Sequence, residues 1–170
     1  MMGAGYGRKR ILAVDDAAFT LSRITDALGK HYEMVTVNSG TRALKYLDKN
    51  KPDLILLDIR MPVKDGFEIL REIRNMEDRA DIPVIMLTAL EDRQTVMKGI
   101  ELGVCDYVLK PFVADDLLER VRRILKSGIS GPAAGGGHDS EINQAGVVGH
   151  GGESVQADVV EVDPGSVAGG

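Results

Sequence analysis

The sequence predicts an α/β fold, a doubly wound parallel sheet of five strands with helices on both faces, and three observations predict it. Short apolar runs alternate with longer amphipathic segments, five times over. The runs have few polar interruptions, as in Leu54 to Leu57, which suits strands covered on both faces. Alternating β and α elements in turn imply a parallel sheet with helices on each side.

The elements follow in order. The first run, Ile11-Leu12-Ala13-Val14, reads as a strand, and Ala17 to Leu28 as a helix carrying Phe19, Leu21, Ile24 and Leu28, with Gly29 as its stop. Met34 to Val37 is a short second strand. Ser39 then caps a helix with Ala43, Leu44 and Leu47 inward, and Pro52 lies beyond its end. Leu54 to Leu57 is the third strand, and after the Asp65-Gly66 turn Phe67, Leu70, Ile73 and Arg74 mark the third helix. Val84 to Leu87 is the fourth strand, and Val96, Met97, Ile100 and Leu102 form the helix after Asp92. Tyr107 to Leu109 is the fifth strand. Asp115-Asp116 opens a last helix on Leu117, Leu118, Val121, Ile124 and Leu125.

The chemistry-bearing residues collect at the strand ends. Asp15 and Asp16 follow the first strand, Asp58 the third, Thr88 the fourth and Lys110 the fifth. In open α/β sheets ligands bind outside the carboxyl ends of the strands, so these groups are expected to share one site. Three clustered carboxylates repel one another and call for a cation. With oxygen ligands only and neither His nor Cys nearby, that cation is expected to be Mg2+ or Mn2+ rather than zinc. Lys110 and Thr88 then read as donors to an anion beside it. A carboxylate, a hard divalent cation, an ammonium and a hydroxyl suit phosphoryl transfer, with Asp58, the central carboxylate, as the nucleophile.

At these residues the chain resembles the receiver domain of bacterial two-component response regulators. The resemblance rests on Ile11 to Asp16, on DLILLDIRMPVKDG from Asp53 to Gly66, on PVIMLTA from Pro83 to Ala89 and on DYVLKPF from Asp106 to Phe112. It covers about residues 10–126, and the motifs stand in order, each at a strand end. The resemblance implies a flavodoxin-like strand order of 2-1-3-4-5. It makes Asp58 the phosphoacceptor, with Thr88 and Lys110 contacting the phosphoryl oxygens. Asp15, Asp16, Asp58 and the backbone carbonyl of Arg60 become the metal ligands, Asp16 more direct than Asp15. Tyr107 is implied to be an aromatic switch that turns inward as Thr88 moves, and the Lys110-Pro111 bond to be cis, a minority state that folded context must hold.

Read this way, the chain is a phosphorylation-controlled signalling switch with three parts: an N-terminal extension (1–9), a receiver domain (10–126) and a glycine-rich acidic tail or linker (127–170). The implied partners are a sensor histidine kinase or phosphotransfer protein and a downstream protein bound at the fourth helix, fifth strand and fifth helix. A phosphorylation-dependent homodimer is a further expectation. Many relatives continue into an output domain after the fifth helix, and here the tail follows. Arg60 and Leu90, two residues beyond Asp58 and Thr88, border the route of a hydrolytic water, and their bulk is expected to slow self-dephosphorylation.

Charge and composition bound the alternatives. All 21 Lys and Arg precede Ser127, and the 44 residues from there on hold six acidic groups and 12 glycines, with no aromatic residue. That segment cannot bury enough apolar surface to offset its ordering entropy, so disorder is expected; VQADVVEV, Val155 to Val162, is its one β-like stretch. His138 and His150 stand alone in glycine and read as inert. The acidic tail is the reverse of a basic nucleic-acid face, and Arg8-Lys9-Arg10 reads as a solvated end, so no nucleic-acid partner is expected. The single Cys105 excludes an internal disulfide and reads as a small buried hydrophobe. No apolar stretch approaches the roughly 18 residues of a membrane span. No secretory signal is read, so a cytoplasmic protein is expected.

Two other function classes fit the sequence less well. An aspartate-nucleophile phosphatase of the haloacid-dehalogenase type usually has a second carboxylate two residues after the nucleophile, where this chain has Arg60. A dinucleotide-binding domain needs Gly-x-Gly-x-x-Gly after the first strand, and Asp15-Asp16 stands there instead. An inactive receiver-like scaffold acting by constitutive binding is the remaining alternative.

Overall fold

A computed structural model describes residues 7–89 and 93–129. Five strands, β1 (Arg10–Val14), β2 (Glu33–Val37), β3 (Leu54–Asp58), β4 (Val84–Thr88) and β5 (Asp106–Leu109), alternate with five helices: α1 (Ala18–Leu28), α2 (Gly40–Lys49), α3 (Gly66–Asn75), α4 (Arg93–Glu101) and α5 (Ala114–Ser127). All pairings are parallel and the sheet order is β2-β1-β3-β4-β5, the flavodoxin-like order of a doubly wound fold. β3 and β4 each run one residue further than their apolar stretches, so Asp58 and Thr88 are the last residues of their strands and hold sheet hydrogen-bonding positions.

Alternation along each strand divides the core in two. Leu12, Val14, Ile55, Leu57, Val84 and Met86 face Ala43 and Leu47 of α2 and Phe67, Leu70 and Ile73 of α3. Ile11, Ala13, Leu54, Leu56, Ile85 and Leu87 face Ile24 and Leu28 of α1 and Leu117, Val121 and Ile124 of α5. Every one of these side chains is buried, and burying each is worth about 1.5–3 kcal/mol for the larger aliphatics.

Local chemistry starts the helices where the sequence placed them. Ser39 accepts a hydrogen bond from the Arg42 N–H at 3.2 Å, and Asp65 with Glu68 forms a reciprocal capping box at 2.8 and 2.9 Å. Gly66 is required by a close approach. A Cβ there would sit 2.3 Å from the Asp58 carbonyl oxygen, so only glycine lets α3 begin against the end of β3.

Two helices differ from their sequence reading. On α1, Leu21, Ile24 and Leu28 keep a three- and four-residue spacing, but Phe19 lies five residues from Ile24, out of phase with the buried stripe, and is 74 % exposed. On α4, Met97 and Ile100 are exposed and Gly99 is the one buried residue. Cys105 is half-buried against the α1/α5 side of the core rather than fully enclosed. Leu90, the tail from residue 130 with His138 and His150, and Val155 to Val162 lie outside the described residues.

Candidate functional site

The carboxyl ends of β1, β3, β4 and β5 bring the strand-end residues together. Asp15 is fully buried and Asp58 is 4 % exposed, while Asp16 stands at the rim in solvent. One carboxylate oxygen from each of the three lies within 4.8 Å of the others. Asp15 is fixed from two sides: Oδ1 accepts from the Ala17 N–H at 2.9 Å, in the turn that opens α1, and Oδ2 accepts from Lys110 Nζ at 2.6 Å. Lys110 Nζ also donates to Asp58 Oδ1 at 2.9 Å, so one ammonium bridges the two buried carboxylates.

Lys110 is placed by its backbone N–H, which donates to the Thr88 carbonyl at 2.8 Å and extends the β4–β5 ladder by one bond; the next peptide bond, Lys110-Pro111, is cis. Thr88 itself is 6 % exposed at the end of β4. The chain leaves β3 through Arg60, which is exposed, and turns tightly at Pro62-Val63-Lys64. There the Lys64 N–H donates back to the Pro62 carbonyl at 2.9 Å and Val63 has φ 72°, the strained hand of the γ-turn.

The electrostatics follow from this geometry. Burial pushes the Asp58 carboxyl pKa up from its ordinary value. The bond from Lys110 and the Arg60 backbone N–H pull against that, and the charge on Asp15 adds to it. Burial disfavours the Lys110 ammonium, yet its bonds to Asp15 and Asp58 hold its pKa above the usual lysine value. The two buried carboxylates thus share one ammonium, and the oxygen donors of Asp15, Asp16 and Asp58, all hard, form a cluster that could hold a divalent metal.

The family model described as response regulator receiver domain matches residues 11–122. The chain belongs to that family. Among curated relatives, the DNA-binding response regulator MtrA of Mycobacterium tuberculosis is 37 % identical over 127 residues, which is 74 % of this chain and 54 % of MtrA. The transcriptional regulatory protein PrrA of Mycobacterium bovis is 36 % identical over 126 residues, 74 % of this chain and 53 % of PrrA. The chain therefore spans about half the length of the curated relatives it matches. Among solved structures, the chemotaxis protein CheY4 of Vibrio cholerae superimposes with a TM-score of 0.67 at 29 % identity, covering 69 % of this chain and 99 % of CheY4. The response regulator DrrB of Thermotoga maritima, described as an OmpR/PhoB homologue, gives 0.65 at 34 % identity over 75 % of this chain and 57 % of DrrB.

Around this receiver pocket the structure adds groups that sequence reasoning left out. Arg23 stacks between Phe19 and Phe112, its guanidinium carbon 5.9 and 5.4 Å from the ring centroids, and donates to the Phe112 carbonyl at 3.0 Å. Phe19, Arg23 and Phe112 line a groove that reaches Lys110, and Val113 beside it is 67 % exposed. On the β5/α5 side, buried Asp106 receives Arg120 at 2.9 Å and Arg123 at 3.2 Å. Tyr107, the aromatic singled out above, is half-buried, and its hydroxyl donates to the Thr95 carbonyl of α4 at 3.0 Å.

Proposed function

We propose that this protein is a phosphorylation-controlled switch of a two-component phosphorelay in which Asp58 accepts the phosphoryl group. The observation that carries the reading is the Lys110 ammonium bridging buried Asp15 and Asp58, with Asp16 beside them at the rim. A carboxylate that is buried, desolvated and next to a fixed cation is suited to attack an electrophile whose oxygens need neutralising.

In this reading a sensor histidine kinase or phosphotransfer protein presents a phosphohistidine. An Asp58 carboxylate oxygen forms the new P–O bond, the P–N bond breaks, and the imidazole leaves with the electron pair. Lys110 is already within hydrogen-bond reach of Asp58 and neutralises the phosphoryl oxygens as they arrive. Thr88 donates its hydroxyl to one of them. Asp15, Asp16, Asp58 and the Arg60 backbone carbonyl would hold Mg2+ or Mn2+, and their all-oxygen donor set fits a hard cation. When bound, that ion supplies charge neutralisation on the transferring group. Exposed Phe19 and Val113, flanking buried Phe112 beside the groove that reaches Lys110, are where the donor's helix would bury its own apolar side chains.

Phosphorylation then biases a two-state surface. Tyr107 turns inward as Thr88 moves, and the change is read by a downstream protein, or by a second copy in a homodimer, on α4, β5 and α5, roughly Gln94 to Lys126. Met97, Ile100 and Leu109 give that face exposed apolar area. The receiver portion is about 10–126, the N-terminal extension 1–9 and the acidic tail 127–170. A cytoplasmic location goes with this reading, since the donor kinase draws on ATP there. The test is incubation with radiolabelled acetyl phosphate and Mg2+. A stoichiometric, acid-stable and hydroxylamine-labile adduct on Asp58 supports the switch, whereas steady release of phosphate from many esters per chain supports a phosphatase instead.

A further inference from the structure

The ammonium bridge in the pocket joins strands that are not neighbours. Asp15 follows β1 and Lys110 follows β5, and β3 and β4 lie between them, so no sheet hydrogen bond fixes the separation of the two backbones. Three strand spacings amount to about 14 Å, a gap that the Lys110 side chain and the loop beneath it must close. They close it far enough for Nζ to donate to Asp15 at 2.6 Å. Yet the loop itself has little local support. The Lys110 N–H makes the last bond to β4, at the Thr88 carbonyl, and Val113, where α5 starts, supplies no side-chain cap.

The support comes from α1. Arg23 donates through Nη2 to the Phe112 carbonyl at 3.0 Å, a bond between residues 89 apart in the sequence. The Phe112 ring is 7 % exposed and packs on the α1/α5 side of the core, so packing holds the ring while Arg23 holds the peptide that follows it. The Phe112 and Phe19 rings confine the guanidinium, at 5.4 and 5.9 Å, although Arg23 is otherwise in solvent. Phe19 and Arg23 stand four residues apart and are therefore neighbours on the helix surface, which gives the exposed Phe19 ring a partner on its own helix. The opening turn of α1 also fixes Asp15, whose Oδ1 accepts from the Ala17 N–H at 2.9 Å. One helix thus carries both the turn that sets Asp15 and the cation that pins the loop of Lys110.

We propose that Arg23 is a positioning residue for phosphoryl transfer to Asp58: it clamps the β5–α5 loop to α1 and so sets the reach of Lys110 to Asp15 and Asp58. This inference rests on the receiver reading above. Arg23 acts through the Phe112 peptide and not on the phosphoryl group. Releasing the clamp lets the loop relax and spreads the positions that Lys110 takes, so fewer chains hold the ammonium in place as the phosphoryl oxygens arrive. The reaction slows while Asp15, Asp16 and Asp58 keep their places at the strand ends. A residue needed only for stability would instead lower the fraction of folded chains and leave the rate of each folded chain unchanged.

The experiment uses the full chain with acetyl phosphate and Mg2+. So small a donor makes no use of the Phe19 and Val113 surface, which separates the clamp from any loss of contact with a donor protein. Arg23→Met keeps the aliphatic length and removes the donor and the charge. Its phosphorylation rate constant is expected to fall about five- to twentyfold, within the roughly hundredfold that a 1 Å misplacement costs. The stoichiometry of saturating beryllofluoride, counted from its bound 19F signals, is expected to match wild type, with faster amide exchange at residues 112–117. Arg23→Lys, which keeps the charge and a donor, is expected to slow the reaction less and carries the test if Arg23→Met does not fold. An unchanged rate constant overturns the clamp and leaves the receiver reading intact. So does slowing matched by an equal loss of beryllofluoride-competent chains, or slowing without faster exchange at the loop. Failure of wild type to be phosphorylated any faster than Asp58→Ala overturns both.

Discussion

Helices α3 and α4 follow one another in the chain and differ by a single residue in length, ten against nine, yet they are held by opposite means. α3 starts from a capping box, buries Phe67, Ile69, Leu70 and Ile73, and begins at a glycine pressed onto the Asp58 carbonyl. α4 buries one glycine and is fastened by hydrogen bonds to its carbonyls. The difference separates two duties. The helix that positions the acidic pocket is locked by apolar packing, whose loss is cooperative and expensive. The helix at the edge of the pocket is held by a few polar contacts, each worth little net.

The comparison breaks most visibly at Ile73. Ile73→Ala is expected to lower the unfolding free energy by about 2–5 kcal/mol through the cavity it leaves, measured by urea denaturation. A loss below about 1 kcal/mol would mean that α3 is not the anchored element. Arg74→Met comes next. It leaves four carbonyls without their donor and is expected to cost about 2–3 kcal/mol, with faster hydrogen exchange concentrated at residues 99–104. Exchange that rises uniformly across the domain would show that Arg74 serves the core and not the end of α4.

Tyr107 gives a pH signature of the loose region. Its folded pKa is raised from 10.0 to about 12, so the native state keeps the proton longer than the unfolded chain does. The contribution is fully present below about pH 10 and is lost as pH rises toward about 12. Wild type is therefore expected to lose stability relative to Tyr107→Phe across that window, read by denaturation at each pH. Parallel curves for the two proteins would contradict a buried, bonded hydroxyl. The smallest effect is expected at Ile100, where Ile100→Ala should change stability by no more than about 0.5–1 kcal/mol because the side chain is 47 % exposed.

Much of this was legible in the sequence, for physical reasons that particular residues make plain. Asp15, Asp16, Asp58, Thr88 and Lys110 stand at strand ends, so finding the strands was enough to place them on one edge of the sheet. Ser39 announced its helix because capping acts within four residues. Phe19 lies off the buried stripe of α1 although it belongs to the same apolar set. Its five-residue offset from Ile24 is visible in the sequence and was the signal to use. Arg74 marks the third helix in the sequence, but its carbonyl partners lie up to 29 residues away and obey no local pattern. Gly99 carried no signal at all, because the need for a residue without a side chain arises only once β5 has brought Tyr107 across to α4.

The central claim is that the pocket locked in place by α3 accepts a phosphoryl group on Asp58. Intact mass after incubation with acetyl phosphate and Mg2+, comparing wild type with Asp58→Ala, tests it most directly. The account predicts a single phosphoryl addition to wild type that needs the metal and is absent from Asp58→Ala. No addition to wild type, or an equal addition to both proteins, would contradict it and leave a receiver-like scaffold acting by constitutive binding.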